Sequence, residues 1–251
     1  MTSTPAIIKV RDLSMRFGDL VLFKSLSFDL YQGEILMVLG DSGCGKSTLI
    51  RLLVGLNQAD KGSIDFDEDL LKNDVGLINV AMTFQGGALL GSMTLMENLI
   101  LPLQVHTKLK KGLLEHIALQ KLKLVGLQQF AHYLPSEISG GMLKRAAIAR
   151  ALMLEPKVIL LDEPSAGLDP VTSNYLDKLI LMLSNTLGLS FIIVSHEISS
   201  VFNIADRIIL LKKQQQGIVA SGKPEDIINT TEDDWIKQFL SQERLSNDRS
   251  K

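Results

Sequence analysis

The nine residues GDSGCGKST, 40 to 48, follow the apolar run EILMVL and lead, from Thr48, into TLIRLLVGL. The stretch satisfies G-x-x-x-x-G-K-[ST] between a strand-like and a helix-like segment, the context that gives this pattern its meaning. Glycines let backbone amides converge without a Cβ in the way, and the helix that follows aims its positive end at the same point. Such a loop holds a polyphosphate. Gly40, Asp41, Ser42, Gly43, Cys44 and Gly45 line it, Lys46 reaches the β- and γ-phosphates of a nucleoside triphosphate, Ser47 ligates Mg²⁺, and Thr48 donates to the α-phosphate. Two positions are unusual. The Asp41 carboxylate is tolerable beside phosphates only if it points away. Cys44 sits where amides and a helix N-terminus favour thiolate, so it reads either as a small loop filler or as a thiol whose alkylation ATP blocks.

The same alternation of strand and helix recurs. Beyond Gly33, EILMVL, VILLD and FIIVSH are near-continuous apolar runs, the pattern of parallel strands covered on both faces. Nearer the N-terminus, IIKVRDLSMRF and SLSFDL alternate instead (Leu13, Met15, Phe17; Leu26, Phe28, Leu30), as antiparallel strands with one wet face do. Between 87 and 155 helical spacing takes over. In KGLLEHIALQKLKLVGL an apolar stripe runs through Leu113, Leu114, Ile117, Leu124 and Val125, with Gly126 as the stop. The C-terminal EDDWIKQFL places Trp235, Phe239 and Leu240 on one helical face, to dock on the core or to meet a partner, before QERLSNDRSK turns polar. The fold expected is a single α/β domain. Residues 1–86 and 156–251 form a mostly parallel core sheet with an N-terminal antiparallel β subdomain, and 87–155 form a helical insertion.

Composition narrows the partners. A net charge of −2, with 22% charged residues, supplies no basic stripe for nucleic acid, and the lysines at 108, 110, 111, 212 and 213 read as solvated faces. No apolar run approaches the roughly 20 residues of a spanning helix, MTSTPAIIKV lacks the basic and apolar regions of a leader, and a single cysteine fits a reducing compartment. A cytoplasmic location is expected, with any membrane reached through a partner.

Chemistry gathers at the strand ends. Asp162 and Glu163 close VILLDEP, where adjacent carboxylates are costly unless a cation or reacting water is present. Asp162 suits Mg²⁺ held through water, and Glu163 suits polarising the water that attacks the γ-phosphate. His196, after FIIVS, lies where ligands bind in open α/β sheets and reads as a γ-phosphate contact. Gln85, closing VAMTFQ, contacts Mg²⁺ and the water or caps a loop. Phe17 stacks on adenine or belongs to the core.

With ISGGM (138–142), DEP and SAGLD (165–169) added in the same order and spacing, the chain resembles the ATPase subunits of ABC transporters across nearly its whole length. The resemblance implies two chains joined head to tail, with Ser139, Gly140 and Gly141 of each covering ATP on the other's phosphate loop, Asp169 at the seam and Phe17 on the adenine. Locally, Ser139 suits a cap for GMLKRAAIARALML, whose free amides would face a γ-phosphate. Within the family, SGGMLKRAAIARAL and FQGGALLGSMTLMENLILPLQVHT are similar to the ATPases of bacterial Mla-type (maintenance of lipid asymmetry) phospholipid transporters. That likeness makes Met142 a subfamily marker. It also implies an MlaE-type integral permease received near Met93 and Met96, an MCE-domain lipid-binding protein beyond it, a STAS-domain partner, and a place on the cytoplasmic face of the inner membrane. Another ABC importer or exporter, or a soluble ABC protein, is the alternative; a GTPase would need an [NT]-K-x-D motif, which does not follow the loop.

Overall fold

The structure is a computed structural model describing residues 5–71 and 79–241, so the extreme N-terminus and the polar tail after Ser241 lie outside the described residues. In chain order the elements are β1 (Ala6–Phe17), β2 (Leu20–Tyr31), β3 (Ile35–Gly40), α1 (Lys46–Leu53), β4 (Lys61–Phe66), α2 (Glu68–Leu71), β5 (Val80–Thr83), α3 (Leu95–His106), α4 (Lys111–Leu124), α5 (Gly140–Ala151), β6 (Val158–Asp162), α6 (Pro170–Leu187), β7 (Ser190–Val194), α7 (Ile198–Ile204), β8 (Arg207–Lys212), β9 (Gly217–Gly222), α8 (Pro224–Thr230) and α9 (Asp234–Ser241).

Two sheets form. The antiparallel one has order β2-β1-β4; the larger has order β5-β6-β7-β3-β8-β9, parallel except for β9. Every residue of β3, β6 and β7 is buried, and the alternation of their side chains explains why. Ile35, Met37 and Leu39 enter a core shared with the helices, while Leu36 and Val38 enter a second core shared with α1 and the antiparallel sheet. With apolar cover on both faces, a period-two pattern has no polar half to show. Because β5, β6, β7 and β3 run parallel, their C-terminal ends (Thr83, Asp162, Val194 and Gly40) meet one edge of the sheet.

Two expected details are corrected. The buried stripe of α4 is Leu114, Ala118 and Leu122, with Val125 just beyond it, and Leu113 and Leu124 are exposed. Steps of four residues keep the first three on one face, whereas 113 lies about 100° off it. Gly126, with φ 69°, ends the helix as expected. Lys212 does not lie on a solvated face: its ammonium sits 4.6 Å over the Trp235 ring and 3.9 Å from Asp233.

The sheets are tied together by Arg207 of β8, which forks onto Glu34 (2.6 and 3.0 Å) and also donates to the Asp29 carbonyl of β2 (2.6 Å). Glu34 is 9% exposed and otherwise accepts from the Tyr31 amide. Arg207→Met should therefore lower the unfolding free energy by about 2–4 kcal/mol, through the stranded carboxylate. Urea denaturation checks this, and Glu34→Gln in the same chain should recover part of the loss. No helix among the described residues is long and apolar enough to cross a membrane.

Candidate nucleotide site

The phosphate loop leaves β3 at Gly40 and enters α1 at Lys46, with φ positive at Gly40 (146°), Gly43 (76°) and Gly45 (100°). Space as well as dihedral demands glycine. A Cβ on Gly40 would lie 2.1 Å from the Leu211 carbonyl oxygen, and one on Gly45 would lie 2.9 Å from the Phe23 ring. The Lys46 ammonium folds back to donate to the carbonyls of Gly40 (2.7 Å) and Asp41 (3.1 Å), so it spans the loop. The Asp41 carboxylate meets the condition set by the sequence: it turns onto the Lys213 amide at 3.3 Å.

Of the two readings of Cys44, its surroundings favour the filler. Its thiol is 3% exposed and packs against Gly40 and the second core, and burial pushes its pKa up, with Lys46 opposing. Desolvation outweighs the helix terminus, so Cys44 is loop filler. Alkylation by N-ethylmaleimide near neutral pH should run about tenfold or more below the rate of a free thiol, and reach that rate on unfolding.

Strand ends supply the rest. Ser47 Oγ donates to Asp162 Oδ1 at 2.9 Å, joining the loop to β6. Asp162 is buried, and a hydroxyl beside a carboxylate is the hard-oxygen pair that Mg²⁺ takes. Among the described residues no cluster of three or more His, Cys, Asp or Glu could hold a metal, so a cation here would take its other ligands from phosphate and water. Glu163 adopts φ 49°, donates its amide to the Val194 carbonyl (2.9 Å), and holds Oε2 2.8 Å from Nδ1 of His196. The Glu163 side chain is 15% exposed and that of His196 is 68% exposed: a sheltered carboxylate beside an imidazole at the mouth. Ser195 is buried, and its Oγ accepts from the Glu197 amide.

One cavity of about 560 Å³ is lined by Gly40, Asp41, Ser42, Lys46, Glu163 and His196 on one side, and by Trp235, Gln238 and Phe239 of α9 on the other. The α9 wall was not foreseen. Leu240 and the unforeseen Ile236 are the buried pair of α9, while Trp235 and Phe239, centroids 5.2 Å apart, are half-buried and face the cavity. Gln85 is exposed and lies outside this lining; its carbonyl accepts from Lys144, a residue the sequence did not single out. Phe17 is 53% exposed at the tip of β1, which removes the core reading of that ring.

The residues expected to act on a second chain stand apart from this cavity. Ser139 caps α5, accepting from the Met142 amide at 3.3 Å, with Gly140 and Gly141 in the first turn. A Cβ on Gly141 would meet the Thr172 methyl at 2.3 Å, so α5 and the start of α6 touch there. Asp169 caps α6, accepting from the amides of Val171 and Thr172 (both 3.0 Å) and from the Thr172 hydroxyl (2.6 Å). Those bonds, the hydroxyl's first, hold its carboxyl below the usual range.

Comparison with known proteins agrees with this geometry. A family model described as ABC transporter matches residues 23–166. The MlaF protein of Escherichia coli K12, an intermembrane phospholipid transport system ATP-binding protein, is 38% identical over 95% of this chain and 90% of its own. The mkl protein of Mycobacterium leprae, a probable ribonucleotide transport ATP-binding protein, is 37% identical over 95% of this chain and 70% of its own. Among solved structures, the dimeric post-hydrolysis ATP-binding cassette MJ0796 bound to ADP and Pi matches with a TM-score of 0.73 and 28% identity, covering 86% of this chain and 98% of that one.

Proposed function

The chain belongs to the ABC transporter family, and from that premise we propose that its ATP hydrolysis powers movement of phospholipid between the inner and outer membranes of a bacterial envelope. The chain is the ATPase subunit of an ABC transporter, works as a dimer and acts with a membrane permease. The observation that carries the cargo is the 38% identity to a phospholipid-transport ATPase across 95% of the chain. A second reading has its own observation: the mycobacterial relative, named for ribonucleotide transport, is 37% identical. Cargo is chosen by the permease, so the partner decides between the two.

The geometry supports the following division of labour. The loop from Gly40 to Thr48 binds the phosphates of ATP, and the exposed Phe17 ring offers a face to adenine. The Ser47 and Asp162 oxygens, with Gln85 as a further ligand, would hold Mg²⁺, which when bound with ATP would offset phosphate charge. Glu163 orients and polarises the attacking water, sheltered enough to work in a reduced dielectric. His196 holds the Glu163 carboxylate by one ring nitrogen and offers the rest of its exposed ring to the γ-phosphate. A second copy closes the site with Ser139, Gly140 and Gly141, its Asp169 at the seam, and closure and reopening drive the permease.

A permease surface is prebuilt at residues 90–94. Buried Asn98 donates to the carbonyls of Leu90, Met93 and Thr94 (each 3.0 Å) and accepts from the Leu90 amide (2.7 Å), while a Thr94–Glu97 capping box starts α3. Leu90 is left 44% exposed, with Met93 half-buried beside it. On this reading the chain sits on the cytoplasmic face of the inner membrane beneath an MlaE-type permease, with an MCE-domain protein across the membrane and a STAS-domain protein on the ATPase. The test is to tag the chain carrying Glu163→Gln, extract its complex in mild detergent with ATP, and identify co-purifying chains and lipid by mass spectrometry. An MlaE-type permease with phospholipid is expected. A different permease overturns the cargo, and none at all overturns the transporter.

A further inference from the structure

Helix α5 does more than present Ser139. About one and a half turns beyond the cap it carries Lys144, whose ammonium donates to two main-chain carbonyls: that of Gln85, just past β5, in a close contact, and that of Glu163, just past β6, at 3.2 Å. β5 and β6 are neighbours in the sheet, so one side chain bridges adjacent strand ends. Further along the same helix, Arg150 donates to the carbonyls of Ala88 (2.7 Å) and Gly87 (3.1 Å). Helix α5 thus grips the segment 85–88 at three carbonyls, and only Lys144 extends the grip to Glu163. Ala88 and Gly87 both have positive φ, which turns their carbonyls to the helix.

Lys144 is half-buried. Burial pulls its pKa below the ordinary lysine value, and Glu163 and then Asp162 oppose the shift. Because both of these hydrogen bonds go to carbonyls, the Glu163 carboxylate keeps its contact with His196. Lys144 is also absent from the cavity lining.

We propose that Lys144 is a positioning residue for hydrolysis. By holding the Gln85 and Glu163 carbonyls to the helix that starts at Ser139, it fixes the setting of the water-polarising carboxylate to the position of the turn that covers the partner's ATP. The proposal rests on the reading of Glu163 and Ser139 given above. Its consequence is that the two ATP sites of a dimer communicate through this ammonium. When the partner's nucleotide draws in the N-terminus of α5, Lys144 moves with it and carries the backbone of Glu163.

The test compares Lys144→Met, which keeps the stem and loses every donor, with Lys144→Gln, which keeps N–H donors without the charge. Both are made in the full chain, with Glu163→Gln alongside. Steady-state ATPase gives kcat, KM and the Hill coefficient; a fluorescent trinitrophenyl ATP gives affinity, and a melting curve gives the thermal midpoint. The Met variant should lose about tenfold or more in kcat, with KM and nucleotide affinity within about threefold and a Hill coefficient moved toward one; Gln should restore kcat to within about threefold of wild type. Turnover of the Met variant within about twofold of wild type overturns the proposal, as does a loss carried by KM alone. Equal losses in Met and Gln that track a lowered midpoint also overturn it, since packing would then account for both. Undiminished turnover in Glu163→Gln would instead remove the reading of Glu163, whatever Lys144 does.

Discussion

Replacing Glu163 with Gln should lower ATP turnover by roughly 10²- to 10⁴-fold while leaving ATP binding intact. The substitution keeps volume and shape, so the amide still hydrogen-bonds Nδ1 of His196, which lies 2.8 Å from the native carboxylate. The backbone also stays in place, because the Glu163 amide is held by Val194 and its carbonyl by Lys144. What disappears is the negative charge and the lone pairs that take up a proton from attacking water. Binding elements (the phosphate loop, Lys46, and the Ser47–Asp162 pair) are untouched, so nucleotide should accumulate unhydrolysed and hold two chains together. Rapid-mixing ATPase with equilibrium nucleotide binding and light scattering reads all three. Turnover within about tenfold of wild type would assign the water to another group.

The parts of this site that sequence reveals are those held by local constraint. Three glycines and a lysine at fixed spacing are required by the backbone of one loop, as the contacts a Cβ would make at Gly40 and Gly45 demonstrate. Asp162, Glu163 and His196 are legible because they interrupt apolar runs at strand ends, and a strand buried on both faces leaves few other reasons for a charge there. Lys144 was not legible. Amphipathic helices carry lysines on every wet face, and this one is distinguished only by carbonyls 59 and 19 residues away in sequence. The wall contributed by α9 was half legible. Periodicity pairs Trp235 with Phe239 and Ile236 with Leu240, two adjacent stripes, but composition favours the larger rings as core. The structure buries the aliphatic pair and turns the aromatic pair toward the phosphate loop, with Lys212 over Trp235. On α4 the same ambiguity arose because Ala118, the middle of the buried stripe, carries too little apolar weight to outvote Leu113.

The arrangement across two chains yields the other large prediction, which depends on where Ser139 stands. Its turn lies outside the cavity formed by its own phosphate loop, with the α5 N-terminus free to face a second molecule. In a symmetric head-to-tail dimer each composite site takes its phosphate loop from one chain and its Ser139 turn from the other. Lys46→Ala removes the cation that spans the loop, and Ser139→Glu puts a carboxylate where, on the proposed reading, the helix N-terminus would face the γ-phosphate. Each variant alone, as a homodimer, has two broken sites and should lose nearly all turnover. Mixed as equal amounts of exchanging chains, half the dimers carry one variant of each kind. Both lesions then fall in the same composite site, and the other site, built from the wild-type loop of the Ser139→Glu chain and the wild-type turn of the Lys46→Ala chain, is whole. Activity should recover to about a quarter of wild type when sites turn over independently, and to less when they are coupled. Lys46→Ala combined with Ser139→Glu in one chain, mixed with wild-type chains, is the control, because each mixed dimer then has two broken sites and only wild-type homodimers turn over. If Ser139 served the ATP of its own chain, the control would gain an intact site in every mixed dimer and the complementing mixture would gain none. With independent sites, a helix cap that works across the dimer leaves both mixtures at about a quarter of wild type, whereas one that works within the chain leaves the complementing mixture inactive and raises the control to about half.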